Sequence, residues 1–135
     1  MDSVFNCFNV SSSGLASQRQ RLDVIASNIA NINTTRTPEG GPYKRKDVAF
    51  SEILSDEFGR FGGVALEEVE TGSEPRKVFD PSHPDAAADG YVSYPDIDLV
   101  SEMVDMIHAT RAYEANIQVL TSAKSMITKS FELLK

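Results

Sequence analysis

The chain of 135 residues carries a net charge of −7, is 41% hydrophobic, and contains no tryptophan and one cysteine, Cys7. A single cysteine excludes an intramolecular disulfide and a cysteine-based zinc site. The length allows one domain, or one small domain with two long arms, and the hydrophobic content is slightly low for a compact globule.

Residues 1–35 predict a long N-terminal assembly helix. Steps of alternately four and three residues trace a stripe of period about 3.5, which is typical of a helix that packs against other helices. The stripe consists of Val4, Phe8, Ser11, Leu15, Gln18, Leu22, Ile25, Ile29 and Ile32. Gly14 weakens the helix by about 1 kcal/mol relative to alanine. The run Asn33-Thr34-Thr35, followed by Pro38, predicts that the helix ends near residue 33.

Residues 36–95 predict a β-rich middle region, because proline, glycine and short β-prone runs replace the helical period. The predicted strands are residues 43–50, 64–71, 76–79 and 91–94. The predicted turns are Gly59, Gly62 and Gly63, and the run from Asp80 to Pro84.

The acidic residues are concentrated in the middle of the chain. Residues 47–98 contain three basic and thirteen acidic side chains, a net charge of −10. This argues against a nucleic-acid partner, since phosphate binding requires clustered lysine and arginine. The basic cluster Lys44-Arg45-Lys46 is interpreted as a solvated strand edge. The alternative is that it pairs with Glu67, Glu68 and Glu70 across a subunit boundary.

Residues 96–135 predict a second assembly helix, which starts after Pro95-Asp96 and has no later proline or glycine. Only Thr110 and Lys124 interrupt its apolar stripe, which consists of Leu99, Met103, Met106, Thr110, Tyr113, Ile117, Leu120, Lys124, Ile127, Phe131 and Leu134. Further apolar residues, Val100, Val104 and Ile107, lie beside the stripe.

The two helices are too long for the middle region to cover. At about 1.5 Å per residue they would be roughly 48 and 55 Å long, whereas a domain of about 60 residues has a radius of gyration near 10 Å. The expected fold is therefore mainly α with a β-rich insert, in which the long N- and C-terminal helices pair as a coiled coil. More than one partner helix is implied.

The sequence offers no catalytic, cofactor-binding or metal site. The two histidines, His83 and His108, do not share a helix face with another ligand. The glycines near residue 60 lack the Lys-Ser/Thr of a phosphate loop. No run of 18 apolar residues predicts a membrane span, and the first residues lack the pattern of a cleaved secretory signal.

One segment of the first helix carries a family likeness. Residues 22–31, LDVIASNIAN, with Ser13-Gly14-Leu15 before them, resemble the N-terminal signature of the bacterial flagellar rod and hook proteins. Four further segments are similar to the proximal-rod branch of that family: residues 40–46, 83–95, 102–106 and 111–116. Residues 51–76 are the least characteristic. Cys7 matches no family feature and receives no role.

The resemblance implies a structural, non-enzymatic subunit of the proximal rod, which polymerises through its terminal helices. It implies partners as well: further copies, other proximal and distal rod proteins, membrane-ring and export-gate junction proteins, and the flagellar type III export apparatus. Export without a cleaved signal, to a rod within the periplasm, is expected. The alternative is a soluble coiled-coil adaptor of fixed small oligomeric state.

The predicted assembly interface combines the apolar stripes with three asparagines. Asn28 and Asn31 lie on neighbouring positions of one helix among small residues, so we expect their amides to bond to backbone or to other side chains in a packed wall. The interface residues are Leu15, Leu22, Ile25, Asn28, Ile29, Asn31, Ile32, Met103, Met106, Tyr113, Asn116, Ile117, Leu120, Ile127 and Phe131.

Overall fold

The computed structural model describes the backbone of residues 2–55 and 60–133 and the side chains of residues 8–51 and 64–133. Its elements, in chain order, are helix α1 (Asp2–Ala30), strands β1 (Lys46–Ser55), β2 (Arg60–Glu70), β3 (Arg76–Phe79) and β4 (Tyr91–Tyr94), and helix α2 (Leu99–Glu132). The predicted pair of long helices with a small β-rich insert is confirmed. The coiled-coil pairing of these helices stays a prediction.

Local hydrogen bonds explain where α1 ends and where α2 begins. The N–H of Asn31 is shared between the carbonyls of Ser27 at 3.1 Å and Asn28 at 3.3 Å, and the chain then turns, so that α1 ends three residues before the predicted position. At the start of α2, Asp98 accepts the N–H of Val100 on its side chain at 3.2 Å. Asp98 is therefore the capping residue of α2, two residues after the Pro95-Asp96 start signal in the sequence.

The strands agree in part with the predictions. The observed bounds of β3 and β4 coincide with the predicted ones. Strand β1 starts three residues later and ends five residues later than predicted, and β2 starts four residues earlier and ends one residue earlier. Gly62 and Gly63 lie within β2, so the predicted turn there is wrong; Gly59 lies outside the described residues. Strand β2 pairs with β1 in a two-stranded sheet, so these glycines belong to a paired strand in spite of their low strand preference.

Strands β3 and β4 form an antiparallel ribbon with Val78 opposite Val92 and Phe79 opposite Tyr91. Val92 is fully buried, so one face of the ribbon covers the interior. In the connection after β3, Asp80 accepts two hydrogen bonds from Ser82, at 2.6 Å from the hydroxyl and 3.1 Å from the backbone N–H. These bonds lower the pKa of Asp80.

The chain divides into two compact units. The first unit contains Met1–Leu22, Ala49–Glu67 and Ile107–Lys135, and its buried residues among those described are small: Ser17, Ala109 and Ala123. The second unit contains Asp23–Val48 and Glu68–Met106. Its buried residues include three hydrophobic ones, Val24, Ile25 and Val92, and two polar ones, Asn28 and Glu102.

Gly90 is required by the turn that precedes β4. Its φ of 78° is in the left-handed region, and a Cβ added there would lie 2.9 Å from Cε2 of Phe79. We expect Gly90→Ala to lower the free energy of unfolding by about 1–3 kcal/mol. Gly72→Ala is the matched control, because a Cβ at Gly72 meets no atom within 4 Å. Urea unfolding followed by near-UV circular dichroism of the tyrosines measures both. Equal effects of the two substitutions would contradict the strain at Gly90.

Candidate functional site

A buried asparagine joins α1 to the start of β1 in the second unit. The side chain of Asn28 is 1% exposed. Its Nδ2 donates to the carbonyl of Lys46 at 2.8 Å, and its Oδ1 accepts the N–H of Lys46 at 3.0 Å and the hydroxyl of Tyr43 at 3.2 Å. The amide therefore bonds both backbone groups of one residue, as a neighbouring strand would. This satisfies polar groups that would otherwise be costly to bury.

The same asparagine contacts α2 through a buried carboxylate. Glu102 is 1% exposed. Its Oε2 accepts a hydrogen bond from Nδ2 of Asn28 at 3.3 Å, and its Oε1 accepts one from Nε of Arg45 at 2.7 Å. Glu102 lies in the first turn of α2, where a negative charge is favoured by the helix dipole. Asn28, Arg45 and Glu102 are called the buried polar network below.

The guanidinium of Arg45 is held as a cation by its surroundings. Burial by itself lowers the pKa of Arg45, but the hydrogen bond to Glu102 and the charges of Glu102, Asp47 and Asp105 raise it by more, so that the pKa lies above its usual value. The pair is costly to break by removing Arg45, because the buried carboxylate of Glu102 then loses its cation, whereas Arg45 also forms an ion pair with Asp47 at 3.5 Å.

The rest of the basic cluster is also paired within the chain. Lys44 forms an ion pair with Glu70 at 3.2 Å and Lys46 with Glu68 at 3.5 Å, and these four side chains are 40–69% exposed. The carboxylates considered as partners across a subunit boundary are therefore, in these two cases, partners within one chain. Exposed pairs contribute little to stability. The sequence-based interpretation as a solvated edge fits Lys44 and Lys46 and is wrong for Arg45.

Two serines attach β2 to α1 in the first unit. The hydroxyl of Ser13 accepts the N–H of Val64 at 3.2 Å, while the hydroxyl of Ser17 lies 3.4 Å from the carbonyl of Val64 and 2.9 Å from that of Ser13. Polar side chains of α1 thus bond both backbone groups of a strand residue here, as Asn28 does in the second unit. The sequence reading did not identify these serines.

Gly14 and Asn116 mark a close approach of α1 and α2 within the first unit. A Cβ added at Gly14 would lie 3.2 Å from Nδ2 of Asn116. The glycine that weakens the helix locally therefore lets the two helices approach each other, which an alanine would allow only if the amide moved.

The predicted interface residues differ widely in exposure. Ile25 and Asn28 are buried within the second unit. Met103, Ile117 and Phe131 are exposed by 53%, 42% and 63%. The remaining ones are partly exposed: Leu15, Leu22, Ile29, Asn31, Ile32, Met106, Tyr113, Asn116, Leu120 and Ile127. Asn31 bonds locally, since its Nδ2 donates to the carbonyl of Ser27 at 2.9 Å and its Oδ1 accepts the hydroxyl of Thr34 at 3.1 Å.

The sequence analysis did not predict the contacts that three residues of the site make: Tyr43, Arg45 and Glu102. Arg45 and Glu102 lie within two of the segments that resemble the family, residues 40–46 and 102–106. This resemblance was the only sign in the sequence that they have a special role. Within residues 8–51 and 64–133, no group of histidine, cysteine or carboxylate side chains could hold a metal ion. None of the described helices is long and apolar enough to cross a membrane.

Comparison with known proteins identifies the family. Residues 8–36 match the model "Flagella basal body rod protein", and residues 88–133 match "Flagellar basal body rod FlgEFG protein C-terminal". A Borreliella burgdorferi protein named "Flagellar basal-body rod protein FlgC" is 42% identical over 98% of this chain and 98% of its own length. The chain belongs to the FlgC family of flagellar basal-body rod proteins.

Further members of the FlgC family give the same result. Proteins of that name from Bacillus subtilis and Salmonella typhimurium are each 41% identical, over 97% and 96% of this chain and 98% and 97% of their own lengths. The predicted family and the predicted structural, non-enzymatic role are confirmed.

A double-mutant cycle tests the buried polar network. We expect Arg45→Ala to lower the free energy of unfolding by about 3–5 kcal/mol, since it leaves the buried carboxylate of Glu102 without its cation. Glu102→Ala should cost less, because the side chain of Arg45 is 24% exposed and keeps an ion pair with Asp47 at 3.5 Å. The double variant should lose less than the sum. For the exposed pair, Lys44→Ala and Glu70→Ala should each cost about 1 kcal/mol or less. Urea unfolding of all the variants measures these effects. Additive losses at Arg45 and Glu102 would contradict a coupled pair.

Proposed function

We propose that the chain is a structural subunit of the proximal rod of the flagellar basal body, which polymerises through its terminal helices and forms part of the drive shaft that transmits torque across the periplasm. Membership in the FlgC family supports the rod. The single observation that carries assembly through the helices is the exposure of large apolar residues on opposite sides of α2.

These residues fall into two groups in the first unit. Ile117 and Phe131 belong to the predicted stripe and are 42% and 63% exposed. Val119 and Met126 lie seven residues apart in α2 and are 48% and 64% exposed. Leu133, seven residues further on and directly after the end of the helix, is 88% exposed. At about 100° per residue, the second group lies roughly opposite the first.

A helix that is apolar on opposite sides requires more than one neighbour. One partner helix covers a single stripe, so that pairing with α1 leaves the other side in water. Burial of one side chain such as Phe131 or Met126 contributes about 1.5–3 kcal/mol relative to its exposure. Several such side chains in each subunit provide a strong drive for lateral packing into a wall of helices.

The small interior of the first unit supports the same conclusion. Its buried described residues are Ser17, Ala109 and Ala123, whose side chains bury little apolar area. The large apolar side chains of α2 that are exposed in this unit are thus available to neighbours. The interface we propose consists of the predicted residues other than the buried Ile25 and Asn28, with Val119, Met126 and Leu133 added.

The proposed neighbours follow from the family likeness. They are further copies of this chain, other proximal and distal rod proteins, and the membrane-ring and export-gate junction proteins. We propose that the type III export apparatus delivers the chain to the rod in the periplasm without a cleaved signal.

Substitution by aspartate on each side of α2 tests this function. We expect Ile117→Asp and Met126→Asp each to reduce completed hook-basal bodies by at least about tenfold, because an unpaired carboxylate in a dry helix wall costs several kcal/mol. Gln118→Asp is the matched control: it is exposed, lies in the same helix and carries the same cost in helix propensity. Electron microscopy of isolated basal bodies provides the count.

The control also decides the interpretation. If Gln118→Asp prevented rod formation as strongly as the other two, the loss would reflect a weakened helix, and the assignment of apolar sides would be wrong. Sedimentation of the purified wild-type chain distinguishes a rod subunit from the alternative, a coiled-coil adaptor. A rod subunit is expected to sediment as a monomer, whereas a fixed small oligomer would indicate an adaptor.

A further inference from the structure

The β3–β4 ribbon presents an aromatic face to solvent. In its register Lys77 lies opposite Ser93 and Phe79 opposite Tyr91, on the side away from the buried Val92. We call these four residues the outer ribbon face. Phe79 is 64% exposed and Tyr91 is 43% exposed. Such a pair of large exposed rings is unusual on a protein surface that binds no partner.

The exposed rings are held in place before any partner arrives. The rings of Phe79 and Tyr91 pack edge to face with their centroids 5.3 Å apart. Phe79 also lies against Gly90, so closely that a Cβ there would be 2.9 Å from the ring. Rigid aromatic side chains of this kind are typical anchors of protein interfaces, since little conformational freedom is lost when they bind.

Strand β3 carries positive charge within an otherwise acidic stretch of the chain. Lys77 on this face and its neighbour Arg76, which lies on the opposite face of β3, are the only lysine and arginine residues between positions 61 and 110, a stretch with eleven acidic residues. Both are exposed, and neither forms an ion pair with another described residue. A partner that fits this face is therefore apolar at its centre and acidic at its edge.

Room for a partner side chain lies beside the rings. Tyr91 and Ser93 also line an open groove of about 410 Å³, together with Pro42 and Pro84. The groove is shallow and open to solvent, which suits a protruding side chain of a neighbouring protein better than an enclosed small molecule.

The chain itself carries a surface with the required chemistry. At the start of α2, the apolar residues Leu99, Val100, Met103 and Val104 are 43–68% exposed. Two exposed carboxylates, Asp96 and Asp98, come directly before them. Within the second unit, this acidic and apolar segment, residues 96–104, complements the outer ribbon face in both charge and polarity.

We propose that the outer ribbon face binds residues 96–104 of a second copy of this chain. The two surfaces share no residue, so the contact is heterologous, and a heterologous contact continues from copy to copy along a ring or a helix. This inference rests on the proposed function, in which copies of the chain are neighbours in a rod. It adds a contact outside the apolar sides of the first unit, and it assigns Met103 of the proposed interface to the ribbon of a neighbouring copy.

Site-specific photo-cross-linking in assembled basal bodies tests the contact. With p-benzoylphenylalanine in place of Phe79, we expect a cross-linked dimer of this chain whose joined peptide, identified by mass spectrometry, falls within residues 96–104. The same probe in place of Val69, another exposed apolar residue of the second unit, is the control and should give no such product. A cross-link from Phe79 to a different rod protein, or none, would overturn the proposal.

Charge reversal tests the same contact from both sides. We expect Lys77→Glu and Asp96→Lys each to reduce completed basal bodies by about tenfold, because each places like charges against each other. The double variant should restore the count to within about twofold of wild type, which mere misfolding would not do. Failure of the double variant to recover would contradict the pairing.

The outcomes separate this inference from the proposed function. If the wild-type chain is absent from isolated basal bodies, the proposed function itself fails. If the chain is present and Phe79 cross-links elsewhere or not at all, the rod assignment stands and only the contact between copies is wrong.

Discussion

The second unit depends on the buried polar network of Asn28, Arg45 and Glu102. Asn28 bonds both backbone groups of Lys46, and Glu102 joins the same amide to Arg45. Each polar atom of the Asn28 side chain is satisfied by a partner from another segment. Few other arrangements of α1, β1 and α2 would satisfy these groups, so the network specifies one packing of this unit and makes departures from it costly.

Polar interiors and apolar exteriors are combined in this chain. The buried described residues include Ser17, Asn28 and Glu102, whereas Phe131, Met126 and Val100 are more than 60% exposed. A monomer that functions alone gains most of its stability from the opposite distribution. In a subunit that assembles, polar contacts within the chain can fix its shape, while apolar side chains remain available for neighbours. This distribution of buried polar and exposed apolar side chains agrees with membership in the FlgC family of rod proteins.

Small residues support the same division of roles. Gly14 lets Asn116 approach α1 within the first unit, and Gly90 leaves room for the ring of Phe79. In both places the missing side chain allows a close contact that would otherwise require displacement. The first brings two helices together, and the second holds an aromatic ring on the surface in a fixed orientation.

The sequence by itself determined the features that depend on local pattern. The helices of residues 2–30 and 99–132 follow from heptad spacing and capping, and strands β3 and β4 have the predicted bounds. Asn28 was expected to bond in a packed wall of helices, whereas it is buried within the chain against Lys46 and Glu102. The helix and ribbon bounds are the local predictions. These predictions succeeded because periodicity and turn chemistry act over a few residues.

Only the tertiary structure decided which distant groups meet. Arg45 and Glu102 are 57 residues apart, and a basic residue between two lysines gives no local sign that it alone turns inward. Gly62 and Gly63 lie in a strand because β1 pairs with β2, against their own preference. The apolar side of α2 at Val119 and Met126 lies off the predicted stripe, and its exposure depends on which side of the helix the chain covers. Such pairings are set by the free energy of the whole packing, which no local window contains.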